Sequence, residues 1–199
     1  MSHAQPLTAR LDRLRERLAS HRPWTEPDPD AGGLRWAAVA VILAPAPDAV
    51  LLIRRAERAG DPWSGHMALP GGRREPGDDD LSTTAIRETA EEVGLILSRD
   101  HLLGTLDDVA PRTPVLPPIA IRPFVFLLRE RSPLTLNREV ASARWVDLDG
   151  LLLPGTHHPV RLEIAGESRD VAVYQLDDAI VWGMTERVLS GLLAHIERG

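Results

Sequence analysis

Three glutamates set one helical turn apart carry the strongest chemical signal in this chain. Glu88, Glu91 and Glu92 stand at i, i+3 and i+4, so on a helix their carboxylates share one side and repel by about 0.2 to 0.5 kcal/mol per pair. Gly94 follows where a left-handed residue ends a helix, which sets Glu91 and Glu92 against the negative end of the helix dipole. A divalent cation offsets both costs. Hard oxygen ligands converging from one side suit Mg²⁺ or Mn²⁺, which bind through a few carboxylates and leave positions for water and phosphate. A solvated acidic helix face is the competing reading of these glutamates taken alone.

The residues upstream shift that balance. Pro70-Gly71-Gly72 follows an apolar run and predicts a tight loop, poor in side chains, whose carbonyls or amides approach a ligand closely. Arg87 precedes Glu88 and is expected to hold an acidic loop residue, Glu75 or Asp78, through a bidentate contact that fixes the loop against the helix. Together, Gly72, five residues, Asp78, eight residues and Arg-Glu-x-x-Glu-Glu-x-Gly resemble the Nudix box, the signature of Mg²⁺-dependent hydrolases of nucleoside diphosphates linked to another group. Two departures stand out. Asp78 occupies a position that is glutamate in the family, and eight rather than seven residues separate it from Arg87.

The extra residue is similar to the spacing in the coenzyme A pyrophosphatase branch. Leu51-Leu52-Ile53-Arg54-Arg55, Gly65 and Leu69-Pro70-Gly71-Gly72 resemble that branch's upstream motif, with His66 for glutamine, Leu69 for phenylalanine and a segment one residue longer between them. Val181-Trp182-Gly183-Met184-Thr185 looks like the Trp-Gly-x-Thr segment of its C-terminal helix. The resemblance covers about residues 35–196. It implies an α+β fold, the α/β/α sandwich of Nudix proteins, with an N-terminal amphipathic helix outside the shared core.

Roles follow as expectations. Glu88 and Glu92 would ligate the principal Mg²⁺ or Mn²⁺, with Glu91 assisting, Arg87 bracing the box and a carbonyl of Gly71 or Gly72 completing the protein ligands. Glu139, in Asn137-Arg138-Glu139-Val140, is a candidate general base, and His66 a candidate base or substrate contact. Arg54, Arg55, Arg73 and Arg112 suit phosphates, and Trp63 suits stacking on a base or lining the pocket. Trp182 and Met184 are expected to pack the last helix. The implied reaction splits coenzyme A or acyl-coenzyme A to 3′,5′-ADP and (acyl) phosphopantetheine. Alternatives are a Nudix pyrophosphatase for ADP-ribose, an NDP-sugar or a (d)NTP, and a non-catalytic Nudix ligand sensor.

Positioning these groups requires a particular order of elements. Leu7, Leu11, Leu14 and Leu18 predict an amphipathic helix closed by Pro23, followed by a linker over residues 23–33. Apolar runs at 35–43 and 49–54, divided by Pro45-Ala46-Pro47-Asp48, predict a hairpin. The box helix spans 81–93, capped by Asp79, Asp80 or Ser82. Strands are expected at 102–109, 119–129 and 141–146, a short helix at 148–153, a hairpin from 160–164 and 171–175, and a closing helix at 178–196.

Composition sets the outer bounds. With 199 residues and 43% apolar content, one substantial core suffices. Residues 1–33 are assigned to the N-terminal helix and linker, and 34–199 to a Nudix hydrolase domain. No run of eighteen apolar residues and no apolar leader occur, so a cytoplasmic, non-membrane protein is expected. Cysteine is absent, leaving oxygen or imidazole as metal ligands. A net charge of −6 opposes nucleic-acid binding. All 23 basic residues are arginine, which suits bidentate phosphate recognition but also fits a base-composition bias, since alanine, proline and glycine are abundant. The expected partner is a small nucleotide substrate, and a homodimer is admitted.

Overall fold

A computed structural model describes residues 7–26, 35–58, 64–110, 119–164 and 166–197. The architecture is α+β in three layers. A seven-stranded mixed sheet is formed by β1 (Arg35–Ala44), β2 (Ala49–Arg55), β3 (Met67–Ala68), β4 (Gly71–Arg73), β5 (Leu102–Thr105), β6 (Ile119–Leu127) and β7 (Val140–Asp147). Its order is β3-β2-β1-β6-β5, with β4 paired to β1 and β7 to β2. The central pairing, β1 with β6, is parallel and runs without interruption from Arg35↔Ile119 to Leu43↔Leu127. A second sheet is formed by β8 (His157–Ile164), β9 (Glu167–Gln175) and β10 (Ile180–Trp182).

The helices α1 (Ala9–Ser20), α2 (Leu81–Val93), the single turn α3 (Leu148–Leu152) and α4 (Gly183–Glu197) complete the fold. Strand alternation sorts the core. Ala38, Ala40, Ile42, Leu51 and Ile53 pack with Leu81, Ala85 and Val93 of α2, whereas Val41, Leu43, Val50 and Leu52 pack with Leu11, Leu14 and Leu18 of α1 and Leu189, Leu192 and Leu193 of α4. Because both sides of the sheet are covered, β1 and β2 read as continuous apolar runs. Thr8 caps α1 by accepting from the Leu11 N–H at 3.3 Å, and its own hydroxyl donates to Asp48 at 2.7 Å, tying the helix to the β1–β2 turn.

Four expected boundaries move. The closing helix starts at Gly183 rather than residue 178: Ile180, Val181 and Trp182 pair with β9 instead, and Gly183 at φ 68° ends the strand. Apolar and aromatic residues of this kind favour a pleated surface when a partner edge is available. The Gly71–Gly72 segment is strand β4, held to Ala38 and Val39 of β1, and not a free loop. Residues 106–109 leave the sheet, with Val109 keeping only a bridge to Ile121. The second hairpin is longer than expected, its first strand starting at His157 and its second at Glu167. Among the described residues, no helix is long and apolar enough to cross a membrane.

Candidate active site

The carboxylate trio is positioned by both ends of α2. Asp80 caps it, accepting from the Thr83 N–H at 2.8 Å, and Gly94 closes it at φ 70°. Leu81, Ala85, Thr89 and Glu92 lie along the buried stripe of the helix, so an acid occupies a position where an apolar residue would normally pack. Glu92 is 4% exposed. Among the described residues its side chain accepts one hydrogen bond, from the Gly71 N–H at 2.9 Å. Burial pushes its carboxyl up to about 7; the Gly71 N–H opposes this, the Glu88 charge adds to it, and Arg55 and Glu139 are near enough to contribute.

Glu88 is less buried, and desolvation also raises its carboxyl, against the pull of Arg87. Gly72 exists at its position for Glu88: a Cβ there would overlap the Glu88 carboxylate. Gly71 faces backbone, with φ 153° and the Ala38 carbonyl where a Cβ would go. Glu91, whose side chain is 55% exposed, lies on the solvent side.

Arg87 links loop to helix. Its Nε and Nη2 donate to both oxygens of Asp78 at 3.0 Å, Nη2 also to the Arg73 carbonyl at 3.1 Å, and Nη1 to Glu88 at 3.0 Å and Glu91 at 3.3 Å. Asp78 also accepts from the Glu75 N–H at 2.9 Å and the Thr84 hydroxyl at 2.8 Å. The Arg87 fork is the main reason its carboxyl falls to about 2. Of the two acids expected to meet Arg87, Asp78 does so and Glu75 contributes its backbone. The shorter aspartate fits because the loop folds back on itself, with the Asp78 N–H donating to the Glu75 carbonyl at 3.0 Å.

As the side chains stand, no three acids or imidazoles among the described residues gather around one point. Arg87 draws Glu88 and Glu91 to itself while Glu92 turns to Gly71. The donor set nevertheless fits a hard cation: three carboxylates on neighbouring turns, one of them buried with a single neutral donor.

Two cavities flank the end of β2. The larger, about 360 Å³, is lined by Arg54, Gly65, His66, Met67, Leu162, Glu163, Ala179, Ile180 and Trp182. The rings of His66 and Trp182 lie 4.9 Å apart. Arg54 is steadied by Asp178 in the β9–β10 turn, at 3.3 Å to its carbonyl, and Asp178 also accepts from Arg144 at 2.5 Å. Trp182, expected only to pack the last helix, thus lines the cavity; the signal was its place at the end of a strand, obscured by reading that strand as helix. Met184 packs against the core.

The smaller cavity, about 180 Å³, is lined by Arg55, Ala56, Glu57, Arg58, Arg138 and Glu139. Glu139 precedes β7 and its side chain is half exposed, 3.8 Å from Arg58. Arg73 ends β4 with its side chain exposed. Trp63 and Arg112 lie outside the described residues.

The model of the NUDIX domain family matches residues 34–165. An uncharacterised protein of Schizosaccharomyces pombe is 42% identical over 119 residues, which is 57% of this chain but 36% of that longer protein. An uncharacterised Nudix hydrolase of Yersinia pestis, NudL, is 28% identical over 159 residues, covering 79% of this chain and 77% of its own. Among solved structures, a MutT/nudix family protein from Enterococcus faecalis shares the fold at TM-score 0.63 and 18% identity, covering 96% of this chain and 75% of that one. The NUDIX domain of Shewanella oneidensis NrtR, solved with ADP ribose, does so at 0.51 and 22%, covering 69% and 84%.

Proposed function

This chain belongs to the NUDIX domain family, and from that premise we propose that it hydrolyses the phosphoanhydride of a nucleoside diphosphate derivative, with coenzyme A or acyl-coenzyme A as substrate. Family membership and the Nudix hydrolase among its relatives support a pyrophosphohydrolase. One observation carries the substrate reading. Arg54, Gly65 and Trp182, drawn from the two segments that resemble the coenzyme A branch, line the same cavity although distant in sequence.

Glu88 and Glu92 would hold the ion, with Glu91 beside them and a carbonyl of Gly71 or Gly72 completing the protein's share. The chemistry Mg²⁺ or Mn²⁺ supplies there is neutralisation of the diphosphate oxygens and acidification of water. Arg87 holds the glycine strand and helix at fixed separation, so the carboxylates stay in place as the substrate binds. Arg55, and Arg73 at the end of β4, offer planar forks to the phosphates. Glu139 accepts the proton of the attacking water as the new P–O bond forms and the bridging P–O bond breaks, the bridge oxygen leaving with the second phosphate. His66 and Trp182 take the flat or apolar portion of the substrate in the larger cavity.

A panel tests the assignment: purified protein with Mg²⁺ and coenzyme A, acyl-coenzyme A, ADP-ribose, an NDP-sugar and dNTPs, with products identified by mass. Coenzyme A is expected to be cleaved fastest, to 3′,5′-ADP and phosphopantetheine. Faster cleavage of ADP-ribose moves the substrate, and no cleavage of any compound indicates a ligand sensor.

Gly72→Ala probes the approach of strand to helix. Its Cβ displaces the Glu88 carboxylate, and misplacement of a reacting group by about 1 Å can cost roughly 10²-fold in rate. The displaced atoms are the far end of a flexible side chain, so stability is expected to change by about 1 kcal/mol at most. Kinetics alongside a thermal melt check this pairing of large kinetic and small thermal effects.

A further inference from the structure

We propose that the smaller cavity at the end of β2 is a second anion subsite, in which Arg58 and Arg138 take a phosphomonoester that the substrate carries away from its scissile phosphoanhydride. This rests on the hydrolase reading above and adds a selectivity element to it.

The two walls of the cavity are fixed by backbone. β2 pairs with β7 as far as Arg55↔Val140, with a register shift between Arg54 and Arg55. The Ala56 N–H then donates to the Glu139 carbonyl at 2.8 Å, so residues 55–58 and 138–139 face one another. Alanine is the largest apolar side chain in the lining, and three guanidinium groups outnumber two carboxylates. The larger cavity differs in kind, with Met67, Leu162, Ile180 and Trp182 in its walls. One chamber therefore suits apolar and aromatic matter and the other suits charge.

Electrostatics narrow the occupant. Arg138 makes no hydrogen bond or ion pair among the described residues, and Arg58 stands 3.8 Å from Glu139, too far for a hydrogen bond. Arg138 and Arg58, the latter ion-paired only loosely with Glu139, favour a tetrahedral phosphate over a carboxylate, because its three terminal oxygens can accept from both guanidinium groups at once. Arg55 connects this chamber with the acidic helix, being close enough to act on the Glu92 charge. A ligand can thus span both places, its diphosphate near the glutamates and its monoester at Arg138.

The test uses the full chain with Mg²⁺ and two substrate pairs, coenzyme A with 3′-dephospho-coenzyme A and ADP-ribose 2′-phosphate with ADP-ribose. For the pair that is cleaved, the wild type is expected to favour the phosphorylated member in kcat/KM. Arg138→Ala is expected to cut that preference about tenfold, the scale of one charge-assisted contact, through KM rather than kcat. Arg138→Lys should recover part of it, and a thermal melt establishes that the variants fold. A wild-type preference near one, or an equal loss on both members of a pair, overturns the subsite. If no pyrophosphate is cleaved, the hydrolase reading fails by itself. Calorimetry of 3′,5′-ADP against AMP then decides the subsite: tighter binding of 3′,5′-ADP that Arg138→Ala abolishes supports it, and equal binding overturns it.

Discussion

Glu92→Gln is expected to slow phosphoanhydride hydrolysis by roughly 10²- to 10³-fold, the usual cost of removing one preorganised electrostatic group, and yet to make the metal-free protein more stable at neutral pH. The second effect follows from burial. With its carboxyl raised to about 7, against roughly 4.3 in an unfolded chain, Glu92 binds its proton more tightly when folded. Between those values the folded state carries more protons than the unfolded one, so stability falls as pH rises through the window and the full cost is present above it. At about 1.4 kcal/mol per pH unit that cost is roughly 4 kcal/mol, or on the order of 8 to 16 °C in thermal midpoint for a chain of this size.

Glutamine keeps the shape, still accepts from the Gly71 N–H, and does not titrate. Melting curves from pH 4 to 9 should therefore separate progressively, with the variant higher at the alkaline end. Added Mg²⁺ or Mn²⁺ should lift the wild type, since binding to the native state stabilises it, and leave the variant nearly unmoved. Superimposable melts, or equal stabilisation of both proteins by the metal, would remove Glu92 from the ligand set.

Arg122→Ala is expected to destabilise the protein by about 3 to 5 kcal/mol, because it strands a buried charge. The Asp108 side chain has no exposed surface and accepts from Arg122 Nε at 2.9 Å and Nη2 at 2.7 Å, and from the Glu26 N–H at 2.9 Å. Arg122 in turn lies over the Trp36 ring, 5.0 Å from its centre. The same aspartate donates its N–H to the Trp24 carbonyl at 3.0 Å, so the pair fixes the chain leaving α1 against the sheet.

Replacing both partners, Asp108→Leu with Arg122→Met, should cost less than the single change, since neither residue then leaves a charge behind. A double-mutant cycle read by denaturant unfolding measures the coupling. A loss under about 1 kcal/mol for Arg122→Ala would show that water reaches Asp108 once the arginine is gone.

Local spacing made the acidic helix readable from the chain alone. The interval between Glu88 and Glu92, a capping aspartate and Gly94 are all set within about four turns, and the helix bounds agree with the expected ones. The β1–β2 hairpin was equally legible, because apolar runs on either side of a proline-rich turn leave few alternatives. Long-range contacts explain the misses. Gly71 and Gly72 form a strand because β1 offers an edge to them, and nothing in two glycines indicates that edge. Ile180 to Trp182 satisfy a helical pattern and a strand pattern alike; only the neighbouring β9 selects between them. The spacing placed three glutamates on one side, but not their unequal depth: Glu92 is buried by the sheet beneath α2 and Glu91 remains in water. The cavity wall built by Arg54, His66 and Trp182 depends on tertiary placement in the same way.

The parallel pairing of β1 with β6 bears on how this molecule can be made on a ribosome. β1 emerges well before its central neighbour, which begins at Ile119, so the middle of the sheet cannot zip until the intervening segments and β6 itself have been synthesised. Antiparallel partners β2 and β4 can join β1 from one flank in the meantime, leaving its other edge open to whatever strand comes near. Nascent chains stalled before β6 should consequently be sticky and chaperone-dependent, and release of that dependence should coincide with emergence of Leu127 from the exit tunnel.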